Sequence, residues 1–261
     1  MKRLVSKIFL VPMVLLLSLR GAQAQSESAR LDAVLAKMSA RARSEITISD
    51  KTAFLADLHA VLAAEDDFTS DDLSPYFLID KKHPVPADYA PHSMTELTNN
   101  ALFNVNKSGM TLRSDAYSSL QEMSRAALRD GVKLLVSSAY RSYSYQERLF
   151  NNYVRADGLE LAERYSARAG TSQHQLGMAV DFGSITDDFA DTKMGKWVYN
   201  HAAEFGWTLS FPKGYEDVTG YMWECWHFRY IGIPAAKMQK KWFGDIQQYM
   251  LEFIDLWKQS Q

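Results

Sequence analysis

Two polar clusters in the second half of the sequence hold the residue types that bind a metal ion and activate water. His174 and Asp181 lie in SQHQLGMAVD (172–181), and Glu224 and His227 lie in ECWH. A catalytic zinc site takes about three protein ligands and leaves one position open for water. The two histidines and the aspartate could supply these ligands, and Glu224 would then be the natural general base. The pattern indicates metal-assisted hydrolysis.

The backbone must bring these residues to one place. We predict strands at MAVDF (178–182) and at YMWECWHFRY (221–230). Positions three apart on a straight strand face opposite sides, so the chain must bend between Glu224 and His227 for both to reach one site. Either cluster alone is compatible with ordinary core or surface residues whose polar groups are satisfied. Their combination favours a site.

Four motifs follow one another in order along the chain. DKKHPVPADYAP (80–91) precedes SAYRSYSYQ (138–146), which precedes SQHQLGMAVD and ECWHFRY. They are similar to the N-K-x-H-P-L-P-x-x-Y, S-x-Y-R-S-x-x-x-Q, S-x-H-x-x-G-x-A-x-D and E-P-W-H-x-R-Y segments of the VanY-type zinc D-Ala-D-Ala carboxypeptidases. Over roughly residues 75–235 the sequence therefore resembles this family, which belongs to the lysostaphin/D-Ala-D-Ala peptidase/hedgehog fold group.

The resemblance implies a role for each matching residue. It implies that His174, Asp181 and His227 bind zinc and that Glu224 is the general base. It also implies that Arg141 faces the substrate, where a guanidinium can hold a carboxylate or stabilise a developing oxyanion. The alternative for Arg141 is a surface ion pair. The substrate's terminal carboxylate is expected to meet Ser138, Gln146 and Ser172, for which local turn or strand hydrogen bonds are the alternative.

Two positions depart from the family pattern. Cys225 stands where the family usually has Pro, and Ala169 stands where Pro often precedes Gly170. Neither change touches an implied ligand, so both bear on turn geometry more than on chemistry. Cys225 is interpreted as a residue of the pocket wall, or alternatively as a thiol close enough to influence the metal. The histidines outside the two clusters are expected to have no catalytic role.

The elements around the motifs alternate irregularly between helix and strand. Apolar residues at three- and four-residue steps predict two helices within 26–65, the second capped by Asp50. An amphipathic C-terminal helical region is predicted over 235–258, and its aromatic stripe is interpreted as core packing. Further helices are predicted from Ser114 or Asp115 to Gly131, from Ser144 to 157, over 159–169 and over 192–205; further strands are predicted in 133–140 and 207–211.

Mixed elements of this kind predict an α+β fold, and the resemblance implies a small antiparallel sheet with flanking helices, preceded by a helical N-terminal segment. The predicted division is a signal peptide at 1–24, the helical segment at 25–70, the zinc D,D-carboxypeptidase domain at 71–235 and the C-terminal helical region at 236–261. We interpret the N-terminal helical segment as a packing or spacer element.

Composition supports a soluble globular domain, and the N-terminal residues predict that this domain works outside the cytoplasm. The chain has 261 residues, of which 47% are apolar and 23% charged. Residues 1–24 combine a basic start, an apolar run and an Ala-Gln-Ala cleavage site, which predicts a secretory signal peptide rather than an uncleaved anchor. Loss of its four basic residues shifts the formal net charge from −2 to −6, which disfavours nucleic acid as a partner. A single cysteine excludes an internal disulfide.

The leading hypothesis is a periplasmic or cell-envelope zinc carboxypeptidase that removes the terminal D-alanine of peptidoglycan stem peptides. It is expected to be a monomer with no stable membrane insertion after signal cleavage. The sequence leaves open whether the same site cleaves an L,D bond instead, or also cleaves cross-links. A metal-containing binding module is disfavoured, because a binder needs no base such as Glu224. A serine hydrolase is also disfavoured, because SFPK (210–213) lacks the companion motifs and carries a proline where a helix should begin.

Overall fold

The computed structural model describes residues 26–68 and 72–260. The predicted signal peptide and the domain boundary predicted near residue 70 lie outside these ranges. Within the described residues, no helix combines the length and the apolar character needed to cross a membrane.

The N-terminal segment forms three helices rather than the two predicted. They are α1 (26–37), α2 (Ala40–Glu45) and α3 (Lys51–Ala64). The first predicted helix is divided because the Ser39 hydroxyl accepts a hydrogen bond from the backbone N–H of Ala42, which starts a new helix there. The prediction that Asp50 caps α3 is confirmed, since its carboxylate accepts from the N–H of Ala53 at 3.0 Å.

The strands form two sheets. The smaller pairs β1 (Met94–Leu97) with β3 (Met110–Arg113). The larger has the order β2 (Phe103–Val105), β4 (Leu134–Ser138), β5 (Ala179–Phe182), β7 (His227–Tyr230) and β6 (Trp207–Leu209). Its neighbours are antiparallel apart from the parallel β2–β4 pair. The predicted α+β class with a small antiparallel sheet is confirmed, with the β2–β4 pair as a parallel exception.

Helices flank this sheet, and two further helices follow its last strand in the sequence. They are α4 (Ser114–Arg129), α5 (Tyr143–Asp157), α6 (Leu159–Tyr165), α7 (Lys193–His201), α8 (Glu216–Thr219), α9 (Ile233–Trp242) and α10 (Gln247–Gln259). The predicted helix over 192–205 tightens into a 3₁₀ turn after His201, and Gly206 ends it at a φ of 81°.

Several predicted boundaries were wrong; for example, the helix predicted over 159–169 ends at Tyr165. The helix expected to open at Ser144 begins one residue earlier, because the Ser142 hydroxyl accepts from the N–H of Tyr145 and caps α5. The strand predicted over 221–230 is confined to β7. Its first half forms turns instead, and the backbone N–H of His227 donates to the carbonyl of Glu224 at 3.2 Å.

Each end of the chain contributes to one apolar core, separate from the core around the sheet. α1–α3 pack against α9 and α10, and the sheet buries its own cluster against α4 and α7. The aromatic stripe of the C-terminal region faces the first core, which confirms its interpretation as packing. It comprises Trp242, Phe243, Tyr249, Phe253 and Trp257.

Phe54 on α3 packs against both C-terminal helices. Its ring is fully buried and makes edge contacts with Trp242 at 5.7 Å and with Phe253 at 5.2 Å between centroids. We expect Phe54→Ala to lower the free energy of unfolding by about 3–5 kcal/mol, because it leaves a cavity between three helices. Denaturant unfolding measures this. Tyr199→Ala, at an exposed position, is the control; a similar loss in both variants would contradict the assignment.

Candidate metal centre

The three central strands of the larger sheet bring the predicted residues together. Asp181 on β5 lies opposite His227 on β7, and opposite Ser138 on β4. His174 precedes β5 in a 3₁₀ turn (Gln173–Leu176), and Gly177 ends this turn in the left-handed region at a φ of 69°. A residue with a side chain would be strained there, so the glycine allows His174 to fold back over the strand.

The side chains of His174, Asp181 and His227 form a compact, buried group of metal-ligating atoms. One ligand atom from each lies within 4.8 Å of the others. His174 Nε2 is 3.3 Å from Asp181 Oδ2, and His227 Nδ1 is 3.1 Å from Asp181 Oδ1. Within the described residues, His174 Nε2 and Asp181 Oδ1 have no hydrogen-bond partner, although both are buried. Two imidazoles and a carboxylate with unsatisfied buried atoms fit a divalent cation such as zinc.

The other nitrogen of His174 determines which atom faces this group. Nδ1 lies 2.7 Å from the carbonyl oxygen of Ala139, which can only accept, so Nδ1 carries the proton and Nε2 presents its lone pair. Burial, with a contribution from the Arg141 guanidinium, lowers the pKa of His174 to about 4. The imidazole is therefore neutral near pH 7, which is the form that binds metals.

Asp181 is held as an anion. Burial alone would raise its pKa, but His174, His227 and Arg141 outweigh burial and keep the pKa of this carboxyl well below its usual range. Glu224 has the opposite environment. Burial raises the pKa of Glu224 well above its ordinary value, and the nearby Asp181 carboxylate raises it further.

Glu224 lies in the turn before β7, beside the ligand group. Its Oε2 is 3.6 Å from His227 Nδ1, and the predicted bend between the two residues is confirmed by their turn. Glu224 and His227 therefore reach one site although they are three positions apart.

The raised pKa of Glu224 gives a prediction for the metal-free protein. In the unfolded chain this carboxyl ionises near pH 4.5, whereas the fold favours its neutral form. The free energy of unfolding therefore loses a contribution as pH rises above 4.5. We expect Glu224→Gln, in the presence of chelator, to have a higher Tm than the parent chain at pH 8 and the same Tm at pH 4. Equal Tm values at pH 8 would contradict it.

Arg141 connects the ligand group with the residues predicted to bind substrate. Its Nη2 donates to Asp181 Oδ2 at 2.8 Å and to Ser138 Oγ at 2.9 Å, and its Nη1 is 3.5 Å from Gln146 Oε1. Ser172 lines the cavity beside Arg141, whereas Ser138 and Gln146 lie behind Arg141 and are not among the residues that line it. Direct contact of these three side chains with a substrate stays a prediction.

A cavity of about 330 Å³ opens over the ligand group. Many of the residues that line this cavity were not predicted from the sequence. The aromatic residues around the second cluster were the one indication of them. This unpredicted part of the wall is formed by Tyr153, Tyr165, Ile185, Met222, Trp223 and Trp226. Cys225 does not line this cavity; its Sγ lies 3.6 Å from the carbonyl oxygens of Thr186 and Asp187. The four other histidines also lie outside it.

Comparisons with known proteins identify a family and several relatives. Residues 109–233 match the family model described as VanY, D-alanyl-D-alanine carboxypeptidase. The putative carboxypeptidase YodJ of Bacillus subtilis is 34% identical over 167 residues, which are 62% of this chain and 61% of that protein. A D-alanyl-D-alanine carboxypeptidase of Enterococcus faecalis is 30% identical over 61% of this chain and 59% of its own length. The chain thus spans about three fifths of these curated relatives.

Solved structures show the same likeness. The LD-carboxypeptidase LdcB superposes with a TM-score of 0.61 at 31% identity, over 68% of this chain and 84% of its own. VanY from a VanB-type vancomycin resistance cassette, in complex with Zn(II), has a TM-score of 0.54 at 30% identity, over 63% of this chain and 92% of its own.

Proposed function

The chain belongs to the VanY D-alanyl-D-alanine carboxypeptidase family, and we propose that it is a zinc-dependent carboxypeptidase that removes the terminal D-alanine from peptidoglycan stem peptides. The observation that carries this proposal is the buried His174, Asp181 and His227 group with Glu224 beside it in one cavity. A pure binding site has no need of the carboxylate at that position.

His174, Asp181 and His227 are the residues that would hold the zinc ion. When bound there, zinc supplies a Lewis acid that polarises the substrate carbonyl, lowers the pKa of a water molecule and favours the ionised form of Glu224. Glu224 accepts a proton from the attacking water and delivers it to the departing amine of D-alanine.

Arg141 positions the substrate in this proposal. Its guanidinium lies at the cavity wall, and its Nε and Nη2 groups are anchored by Ser138 and Asp181. The Nη1 group is left to bind the substrate's terminal carboxylate or the oxyanion. Gln146 supports the guanidinium from behind, because its Nε2 donates to the carbonyl of Ala167 at 2.7 Å and leaves Oε1 directed toward Arg141. Ser172 is the proposed hydroxyl contact to substrate.

The cellular setting follows from the same proposal. Peptidoglycan lies outside the cytoplasmic membrane, and residues 1–24 have the pattern of a secretory signal peptide. We infer that the mature chain works as a monomer in the periplasm or cell envelope, with stem peptides rather than nucleic acid as its partners.

Cleavage of an L,D bond is the second candidate. It is favoured by the likeness to LdcB, an LD-carboxypeptidase, at a TM-score of 0.61. Both activities would use the same ligands and base, so they differ only in which stem peptide fits the cavity.

Mass spectrometry of the chain incubated with a pentapeptide stem ending in D-Ala-D-Ala, with and without chelator, tests the proposal. We expect loss of one alanine that chelator abolishes. Release from a tetrapeptide alone would favour the L,D activity. Absence of cleavage of the pentapeptide, the tetrapeptide and a cross-linked dimer by zinc-loaded protein would contradict both.

A further inference from the structure

The metal ligand His227 is joined to the C-terminal helix α10 by a buried chain of hydrogen bonds. His227 Nε2 lies 3.1 Å from Gln173 Oε1, and Gln173 Nε2 donates to Gln247 Oε1 at 3.3 Å. Gln247 Nε2 donates to the hydroxyl of Thr208 at 2.6 Å and to its backbone carbonyl at 3.3 Å. The Ser210 hydroxyl lies 2.7 Å from Gln173 Oε1 and 3.1 Å from Gln247 Oε1. All five residues are buried.

The orientation of both glutamine amides in this series of hydrogen bonds follows from one backbone group. The carbonyl of Thr208 can only accept, so the NH₂ group of Gln247 must face it and Oε1 must face Gln173. Gln173 therefore turns its NH₂ group to Gln247 and its Oε1 to the imidazole. Because an amide oxygen can only accept, Gln173 stabilises the neutral tautomer of His227 that carries its proton on Nε2.

This leaves the lone pair of His227 on Nδ1, the atom that faces Asp181 at 3.1 Å. Ala139 performs the corresponding function for His174, but there the acceptor is a backbone carbonyl next to the site. For His227 the acceptor is a flexible side chain, and a second side chain is needed to fix its orientation. Partners of this kind set the tautomer and ring orientation of metal-binding histidines.

We propose that Gln247 is a positioning residue for the metal centre, which acts through Gln173 to hold His227 in the tautomer whose Nδ1 binds the metal. The inference rests on the metal-binding role proposed above. Gln247 lies outside residues 109–233, the segment that matches the family model, so a helix beyond that segment supports a ligand within it.

The turn between α9 and α10 places Gln247. Gly244 and Asp245 both adopt left-handed backbone, with φ values of 60° and 63°, and Gln239 Nε2 donates to the carbonyl of Asp245 at 3.1 Å. Gln247 is the first residue of α10 that follows this turn, and it is buried beneath β6. The left-handed conformation of Asp245, which is unusual for a non-glycine residue, is thus held in place two residues before Gln247, whose side chain contacts Gln173.

Zinc affinity of the full-length chain, measured by competition with a chromogenic chelator, tests the proposal. We expect Gln247→Leu and Gln173→Leu each to weaken zinc binding about 10- to 100-fold. Because Gln247 acts through Gln173, adding Gln247→Leu to Gln173→Leu should weaken binding little further. Additive losses, or a Gln247→Leu chain with unchanged affinity, would overturn the proposal.

The neighbouring Gln248 provides a matched control on the same helix. It is also buried, but its Nε2 donates to Asp80 and Glu252, both at 3.0 Å, and not toward the metal centre. Gln248→Leu should remove a comparable amide from α10 and leave zinc affinity within about twofold. An equal loss of zinc affinity in Gln247→Leu and Gln248→Leu would assign the effect to general destabilisation and overturn the proposal.

A measurement on the unmodified chain remains decisive if the variants fail to fold. Two-bond ¹⁵N–¹H correlation spectra of the zinc-loaded chain identify which nitrogen of His227 carries the proton, and we expect the Nε2–H form with the metal on Nδ1. The Nδ1–H form would overturn the proposal. Failure of the parent chain to bind zinc would refute the proposed function instead, whereas normal zinc binding that is insensitive to Gln247 would refute this inference alone.

Discussion

Replacing Glu224 with Gln is expected to lower kcat/KM for D-alanine release by about 10³-fold, within the range lost when a general base is removed. The substitution keeps the shape of a largely buried side chain beside His227 but removes the group that accepts the proton. Zinc content should stay at one ion per chain, because Glu224 is not a member of the ligand group. Single-turnover kinetics and metal analysis of the same preparation measure both quantities.

The control for this prediction is Glu204→Gln, which makes the same chemical change at an exposed carboxylate that contacts His201. It should keep the parent kcat/KM. A Glu224→Gln chain with near-parental rates would refute Glu224 as the base. A chain that lost zinc together with activity would instead place Glu224 among the ligands.

Replacing His174 with Ala is expected to weaken zinc binding more than about 100-fold, which is more than the loss of a supporting residue costs. His174 supplies one of the three ligand atoms, and its removal leaves Asp181 paired with fewer positive or polar neighbours in a buried site. Hydrolysis should fall in parallel. Equilibrium dialysis against buffered zinc measures the change in affinity directly.

His83→Ala is the matched control, since His83 is exposed, lies outside the cavity and contacts Asp80 through its Nδ1 at 2.8 Å. It should leave both zinc affinity and activity unchanged. Unaltered zinc content in His174→Ala would refute this ligand, and high external zinc that restored full activity would show that His174 contributes affinity but no essential geometry.

The ligand group was predictable from the sequence because its chemistry is concentrated in two short motifs. His174 and Asp181 are separated by one turn and part of one strand, and Glu224 and His227 by one bend. Short separations of this kind leave the backbone few ways to arrange the side chains. The α+β class was also predictable, because the periodicities of helices and strands are visible in short stretches of sequence.

The supporting groups could not be predicted in the same way. Gln247 lies 74 positions from Gln173. The contact between the two residues depends on a left-handed turn at Asp245, which no local sequence pattern predicts. Ala139 acts through its backbone carbonyl, which every residue has. The division between α1 and α2 was missed because the Ser39 cap competes with a continuous apolar pattern.

The core shared by the two ends of the chain has a consequence for the time course of folding. Asp57 on α3 accepts a hydrogen bond from the indole of Trp242, a partner 185 positions later. At synthesis rates of about 5–20 residues per second, Trp242 is synthesised on the order of 10–40 s after α3. The apolar face of α3 needs protection during this interval. Closing so long a loop also slows refolding of the finished chain, because the entropy cost precedes the contacts that offset it.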